Sequence, residues 1–286
     1  MAICEVCFHH CHLNEGQKGL CGARICHNGE VVSYSYGKIT SLALDPIEKK
    51  PLKRFYPGSR ILSVGSFGCN LRCPFCQNHE ISWSAGAMQD FIDVDIVTPE
   101  ELLRIGTGLQ SRGNIGIAFT YNEPLIGYEY VRDTARLFKE NGMKTVLVTN
   151  GTAERKTLEE LIPYIDAMNI DLKGFTRHYY NDVLKGDFDQ VKDFISEAVK
   201  HCHVELTTLV VTDENDSEEE TKEIADWIAD LKDGSGQTIG QDVPLHISRF
   251  FPCFHMTDRE ATDVDLIYRL ADIAKEKLNH VYTGNC

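Results

Sequence analysis

Three cysteines share one short run, Phe67-Gly68-Cys69-Asn70-Leu71-Arg72-Cys73-Pro74-Phe75-Cys76-Gln77-Asn78. The C-x3-C-x2-C spacing brings three thiolates together, enough to ligate three irons of a cubane cluster whose full protein set is normally four. One iron is then left open, and an open coordination position is what lets a metal bind and activate a ligand. Two other chemistries fit parts of the run. Cys73-Pro74-Phe75-Cys76 alone reads as a thiol redox pair, although such a pair needs no third cysteine upstream. Structural zinc closes with four ligands, and His79 stands close enough in sequence to be the fourth. On spacing alone these alternatives stay open.

A second group lies at Cys4, Cys7, Cys11 and Cys21, spaced C-x2-C-x3-C-x9-C. Four soft ligands in a short hydrophilic segment are expected to order around a metal, either zinc or a second iron-sulfur cluster. The nearby His9, His10, His12 and His27 allow mixed ligation, but solvated histidines are the plainer reading. The chain has 11 cysteines in all. An odd number, clustered in this way, suits metal ligation in a reducing compartment better than a disulfide scaffold. A cytoplasmic location is expected.

The formal charge of -14, from 43 acidic and 29 basic residues, argues against nucleic acid as a partner. No stretch approaches the roughly 18 apolar residues of a membrane span, so no membrane partner is expected.

These residues must be positioned by a scaffold, and the rhythm of the chain indicates which. Short apolar runs at 61–64, 115–119, 145–148, 167–170, 204–211, 243–247 and 280–282 are strand candidates, most of them separated by helical segments. Thr98-Pro99-Glu100-Glu101 is a capping box with proline at the first helical position. Asn141-Gly142 ends a second helix, and Ser217 opens a third whose apolar face carries Ile224, Trp227, Ile228 and Leu231. The acidic run 213–220 reads as a solvated helix start. Alternating strands and helices predict an α/β protein with a full or partial (β/α) TIM-like barrel, its reactive residues at the C-terminal strand ends. The first 58 residues read as a small Cys-rich, metal-binding module, with a strand over 31–37 and a proline-bounded connector at 45–51. Residues 59–286 form the barrel domain.

At Cys69, Cys73 and Cys76, with aromatic Phe75 before the last thiol, the chain resembles the radical SAM superfamily. The resemblance continues at Thr120-Tyr121-Asn122-Glu123-Pro124, where that superfamily carries Gly-Gly-Glu-Pro, at Thr149-Asn150-Gly151 and at Asp171-Leu172-Lys173. The last two segments also occur in pyruvate formate-lyase activating enzymes, whose Asp-x-Lys segment contacts the cofactor. An acidic residue that serves a cation site in those enzymes is replaced here by Val148. Further matches at residues 19–24, 45–52, 76–78 and 246–250 are similar to an AMMECR1/Memo-associated subgroup of these homologues. Members usually continue into another cysteine pair, whereas this chain stops at Cys286.

The resemblance implies a barrel of the radical SAM type, with a [4Fe-4S] cluster on Cys69, Cys73 and Cys76 as the catalytic centre. The open iron would chelate S-adenosylmethionine, whose reductive cleavage yields a 5'-deoxyadenosyl radical for hydrogen abstraction. It also implies cofactor contacts from Phe75, Gln77, Asn122, Glu123, Thr149, Asn150, Asp171, Lys173, His246 and Arg249. Plain alternatives stand beside several of these: an ordinary turn at Thr149-Asn150-Gly151, a solvated Lys173 and a core or rim His246. Cys253 and Cys202 read as structural thiols. The expected partners are a one-electron donor such as flavodoxin or ferredoxin and a small-molecule or protein substrate. Activation of a glycyl radical enzyme is the competing function, and a non-catalytic zinc-binding interaction protein the distant one.

Overall fold

In the computed structural model, which describes residues 1–83, 94 and 96–286, one eight-stranded sheet carries the molecule. Its strands run in chain order from one edge to the other: β1 (Ser41–Pro46), β2 (Arg60–Gly65), β3 (Asn114–Phe119), β4 (Lys144–Thr149), β5 (Ala167–Asp171), β6 (His203–Val210), β7 (Leu245–Arg249) and β8 (Val281–Gly284). Every pairing from β2 to β8 is parallel, and β1 joins β2 antiparallel. β1 and β8 remain separate edges, so the barrel is partial rather than closed. Six helices make the main connections: α1 (Pro99–Gly108), α2 (Tyr128–Glu140), α3 (Arg155–Leu161), α4 (Phe188–Ala198), α5 (Glu218–Ala229) and α6 (Val264–Lys275). None of the described helices is long and apolar enough to cross a membrane.

The helix starts follow from local chemistry. Thr98 accepts from the Glu101 N–H while Glu101 reaches back to the Thr98 N–H, the reciprocal box that satisfies two donors at the start of α1. Ser217 caps α5 by accepting from Glu220 N–H. Glu220 is not part of a solvated entrance, as expected for 213–220: it is buried and its carboxylate accepts from the Phe175 N–H.

The strands alternate between two apolar layers. Leu62, Ile117, Leu147 and Met168 belong to the main core, whereas Ile61, Ala118, Val146 and Ala167 form a second core with Ile47, Leu52 and Phe55. Those last three come from the segment between β1 and β2. Residues 41–58, expected to belong to the N-terminal module, are thus an edge strand followed by a plug packed on the sheet's inward face. The module itself is a pair of small hairpins, Ala2–Ile3 with His12–Leu13 and Arg24–His27 with Glu30–Ser33, the latter strand shorter than the 31–37 expected. Arg24 fastens the module to α2 through both oxygens of Glu129, at 2.7 and 2.6 Å.

A buried polar cluster anchors the plug. Glu205 on β6 is fully buried and accepts from Lys53 N–H (2.9 Å), Arg54 N–H (2.7 Å), His203 Nε2 (2.9 Å) and His246 Nε2 (2.7 Å). Burial alone would raise its pKa, but these donors outweigh it and hold the carboxyl at about 2. A carboxyl depressed in the folded state contributes stability above its unfolded pKa, and that contribution is lost as pH falls through the folded value. Glu205→Ala is expected to cost about 3–5 kcal/mol at neutral pH, because it strands buried donors. Glu205→Gln should flatten the loss of stability between pH 4.5 and about 2. Urea denaturation across that range measures both effects.

Candidate functional site

The cysteine loop leaves β2 at its C-terminal end and forms no strand or long helix of its own, so other segments must satisfy its backbone. The Asn122 amide accepts from Ser66 N–H (2.9 Å) and donates to the carbonyls of Phe67 (3.1 Å) and Gly68 (3.2 Å). Asn70 donates to Thr152 O (2.8 Å) and receives the Asn150 amide on its Oδ1 (2.9 Å). Arg72 N–H donates to Leu184 O (2.8 Å), His255 N–H donates to Pro74 O (2.8 Å), and Asn78 Nδ2 donates to Tyr121 O (2.8 Å). Four separate stretches of chain therefore fix one loop.

Cys69, Cys73 and Cys76 open together onto a cavity of about 380 Å3. Its wall also carries Phe75, Gln77, Asn122, Glu123, Thr149, Asn150, Asp171 and Lys173, drawn from the ends of β2, β3, β4 and β5. Eleven of the residues expected at the site thus meet in one place. Burial pushes all three thiols up, Cys73 to about 11 and Cys69 well above its ordinary value. Phe75 is buried and meets Phe250 edge-on at 6.3 Å.

Glu123 is buried at the centre of this wall. Its carboxylate accepts from Thr149 Oγ1 (2.6 Å), Asn150 N–H (2.8 Å) and Leu125 N–H (3.0 Å). Desolvation outweighs these neutral donors and raises its pKa to about 7. Lys173, far from being a solvated lysine, is largely buried and pairs with Asp171 Oδ2 at 2.7 Å. Burial works against its charge, but Asp171 more than compensates and holds the ammonium protonated.

His246 and Arg249 do not line the cavity. His246 points inward but two residues below Ser248, which does line it, and its ring is taken up by Glu205. Arg249 donates from Nε to Thr262 O at 2.6 Å, and its guanidinium lies over the Phe251 ring, 4.7 Å from the centroid. His79 stacks on Phe254 at 4.2 Å. Cys253 donates to the Cys76 carbonyl at 3.8 Å, and Cys202 donates to Ala198 O at the end of α4.

Sequence reasoning did not place Lys49, Lys50, Tyr121, Ser248 and Asn285 at the cavity, which they also line. Lys50 is buried and donates to Asp45 at 3.0 Å; Tyr121 Oη donates to the same carboxylate oxygen at 2.8 Å. Burial opposes ionisation of Asp45, yet these partners hold its carboxyl at about 2. The clue lay in Asp45-Pro46-Ile47-Glu48-Lys49-Lys50-Pro51: its charges are of a kind rarely buried unless paired, and it read as a connector.

All 11 cysteines are unpaired. Among the described residues, no three His, Cys, Asp or Glu side chains are gathered tightly enough around a point to hold a single metal ion, and this is as true of Cys69, Cys73 and Cys76 as of the N-terminal group. Ligands of a cluster each bind a different iron and so stand further apart than ligands of one ion.

Comparison with known proteins gives a consistent picture. The Radical SAM superfamily profile matches residues 63–228, more than half of the chain. An uncharacterized protein of Methanocaldococcus jannaschii is 38% identical over 99% of this chain and 80% of its own length. The pyruvate formate-lyase-activating enzyme of Clostridium pasteurianum is 26% identical over 78% of this chain and 92% of that one. Among solved structures, SuiB of Streptococcus suis superposes with a TM-score of 0.57 at 15% identity, over 78% of this chain. The chain spans 48% of the length of SuiB. The partial barrel, the thiol triad at the end of its first parallel strand and these matches together make the chain a member of the radical SAM superfamily, enzymes that cleave S-adenosylmethionine at a [4Fe-4S] cluster.

Proposed function

We propose that Cys69, Cys73 and Cys76 hold the [4Fe-4S] cluster and that the wall formed by Glu123, Thr149, Asn150, Asp171 and Lys173 receives S-adenosylmethionine. The observation that carries this reading is the meeting of three thiols, the carboxylates of Glu123 and Asp171 and the Lys173 ammonium on a single cavity. The donor set fits the group: three soft sulfur ligands leave a cubane one position short of its usual four. When bound, the pair supplies reductive cleavage to a 5'-deoxyadenosyl radical that abstracts hydrogen from a substrate, chemistry that belongs to the cofactors.

The protein's own residues orient and shield. Glu123 sits raised to about 7 with only neutral donors, so an incoming ammonium would pull it back to a carboxylate and pair with it. Lys173, steadied by Asp171, presents a charged donor to a carboxylate. Thr149 and Asn150 offer groups for ribose, and Phe75 an apolar face for adenine. Leu71, Val148 and Leu209 on the same wall keep water out. An external one-electron donor of the flavodoxin or ferredoxin type reduces the cluster, and the substrate is a small molecule or a protein segment. Unpaired thiols throughout the chain suit the reducing cytoplasm.

Anaerobic reconstitution followed by reductant and S-adenosylmethionine should release 5'-deoxyadenosine, measured by chromatography. Cys73→Ala should abolish the release. Zinc bound in place of iron, with no cleavage after reconstitution, would sink the assignment.

Lys173→Met should weaken S-adenosylmethionine binding to the reconstituted protein by about 10- to 100-fold, the effect of losing a charged hydrogen bond. Equilibrium titration reads this directly. Unchanged affinity would remove Lys173 from the site.

A further inference from the structure

The S-adenosylmethionine site proposed above draws on the cysteine loop and the ends of β3, β4 and β5. The cavity reaches further. Lys49 and Lys50 of the plug, Ser248 on β7 and Asn285 after β8 also line it, and that binding mode uses none of them. Hydrogen abstraction requires a second molecule held beside the first, and this stretch of wall is what is left to hold it.

The plug is built as a fixed support. Glu205 accepts the N–H groups of Lys53 and Arg54, and Asn169 on β5 donates to Pro51 O at 3.0 Å. Ile47 and Leu52, on either side of the two lysines in sequence, are buried in the second core. The backbone that carries Lys49 and Lys50 is therefore held from both ends, as a preorganised binding group requires.

The charge these lysines bring is not balanced locally. One carboxylate, Asp45, serves both. Lys50 is buried and donates to its Oδ2 at 3.0 Å, an oxygen that also accepts from Tyr121 Oη at 2.8 Å. Lys49 Nζ lies 3.6 Å from Oδ1, too far for a hydrogen bond, and its side chain is 68% exposed. Among the described residues, neither the Lys49 ammonium nor the Ser248 hydroxyl donates a hydrogen bond. The neighbouring Glu48 is turned away to the Gly58 N–H at 2.7 Å. Of the other acids on the cavity, Asp171 pairs with Lys173, and Glu123 is the group assigned above to the S-adenosylmethionine ammonium. Two ammoniums on one carboxylate leave a positive charge for a ligand to neutralise, and the unused donors call for an acceptor.

We propose that Lys49 and Lys50 form the substrate subsite of this cavity and that they bind a carboxylate or phosphate group of the substrate, with Ser248 Oγ as a further donor. The anion is an anchor, not the reacting group. Tyr121 joins this subsite to the cofactor wall, since its hydroxyl holds Asp45 while its carbonyl accepts from Asn78 of the cysteine loop at 2.8 Å. That the anion belongs to the substrate rests on the function proposed above; the anion site itself rests on the lysines.

The test uses anaerobically reconstituted protein loaded with S-adenosylmethionine and left unreduced, so that Lys173 is occupied and no turnover occurs. Titration with inorganic phosphate, followed by phosphorus NMR, and with labelled acetate, followed by carbon NMR, should show saturable binding of at least one anion. Acetamide, uncharged and of the same shape as acetate, should not bind. The tighter anion identifies the group as phosphate or carboxylate. Lys49→Gln should weaken that anion by about 10- to 100-fold, the effect of losing a charged hydrogen bond, and Lys49→Arg should restore most of it. Lys49 is exposed, so neither change threatens the fold.

No saturable anion binding, or binding that Lys49→Gln leaves unchanged, would overturn the proposal. Weaker S-adenosylmethionine binding in Lys49→Gln would place the lysine in the cofactor site and overturn it as well. Anion binding through Lys49 in a protein that cleaves no S-adenosylmethionine on reduction would keep the anion site and refute the function proposed above instead.

Discussion

A loop that must present three thiols cannot also hide its backbone in a ladder, and the rest of the site is arranged around that constraint. Strand ends supply the missing partners through asparagine, the short side chain that offers both donor and acceptor. Asn122 grips both sides of the loop's first turn, while Asn70 and Asn150 link it to the segment after β4. The same Asn150 backbone holds Glu123, so the carboxylate and the thiols share one support. Displacing any strand end would therefore move the thiols and the charged wall together. Such coupling gives a preorganised site its precision.

The resemblance to radical SAM proteins predicts glycines where Tyr121 and Asn122 stand. Tyr121 nevertheless adopts φ 75°, the left-handed conformation that glycine favours. Space for its side chain comes from across the sheet: Gly65 on β2 has no Cβ, and one placed there would lie 2.8 Å from the Tyr121 ring. The ring then reaches Asp45 and receives Lys50 over its face at 4.6 Å. Tyr121 thus holds a backbone conformation that glycine favours, and its side chain ties the plug segment to the cavity.

What could be read in the sequence was whatever local physics decides. Parallel strands buried on both faces appear as continuous apolar runs, and all seven of the runs identified became strands. The capping box at Thr98 and the cap at Ser217 fall where side-chain chemistry puts them. What could not be read depended on long-range pairing. β1 carries no strand signal in the sequence, and only its last two residues fall in the 45–51 connector, because its partner strand and the contacts of the plug lie elsewhere in the chain. His246 has the type and strand position of a site residue, and only Glu205, 41 residues away, shows that its ring is already committed. Asn70 carries no signal of its own in the sequence, since its partners Thr152 and Asn150 lie 82 and 80 residues on.

Two buried carboxylates within this one barrel are shifted in opposite directions. Glu205 and Glu123 both lose hydration, and each accepts several hydrogen bonds. Glu205 has two imidazoles among its donors and stays at about 2. Glu123 has only a hydroxyl and two amides, and rises to about 7. Glu205 has four hydrogen-bond donors against three and Glu123 is the more deeply desolvated, so only Glu123 rises. At the cavity end of the barrel Lys50 and Lys173 are each paired with an aspartate, and Glu123 accepts only from neutral donors beside three thiols. In the binding mode proposed above, an amino acid ammonium would pair with Glu123 and its carboxylate with Lys173 on the same wall.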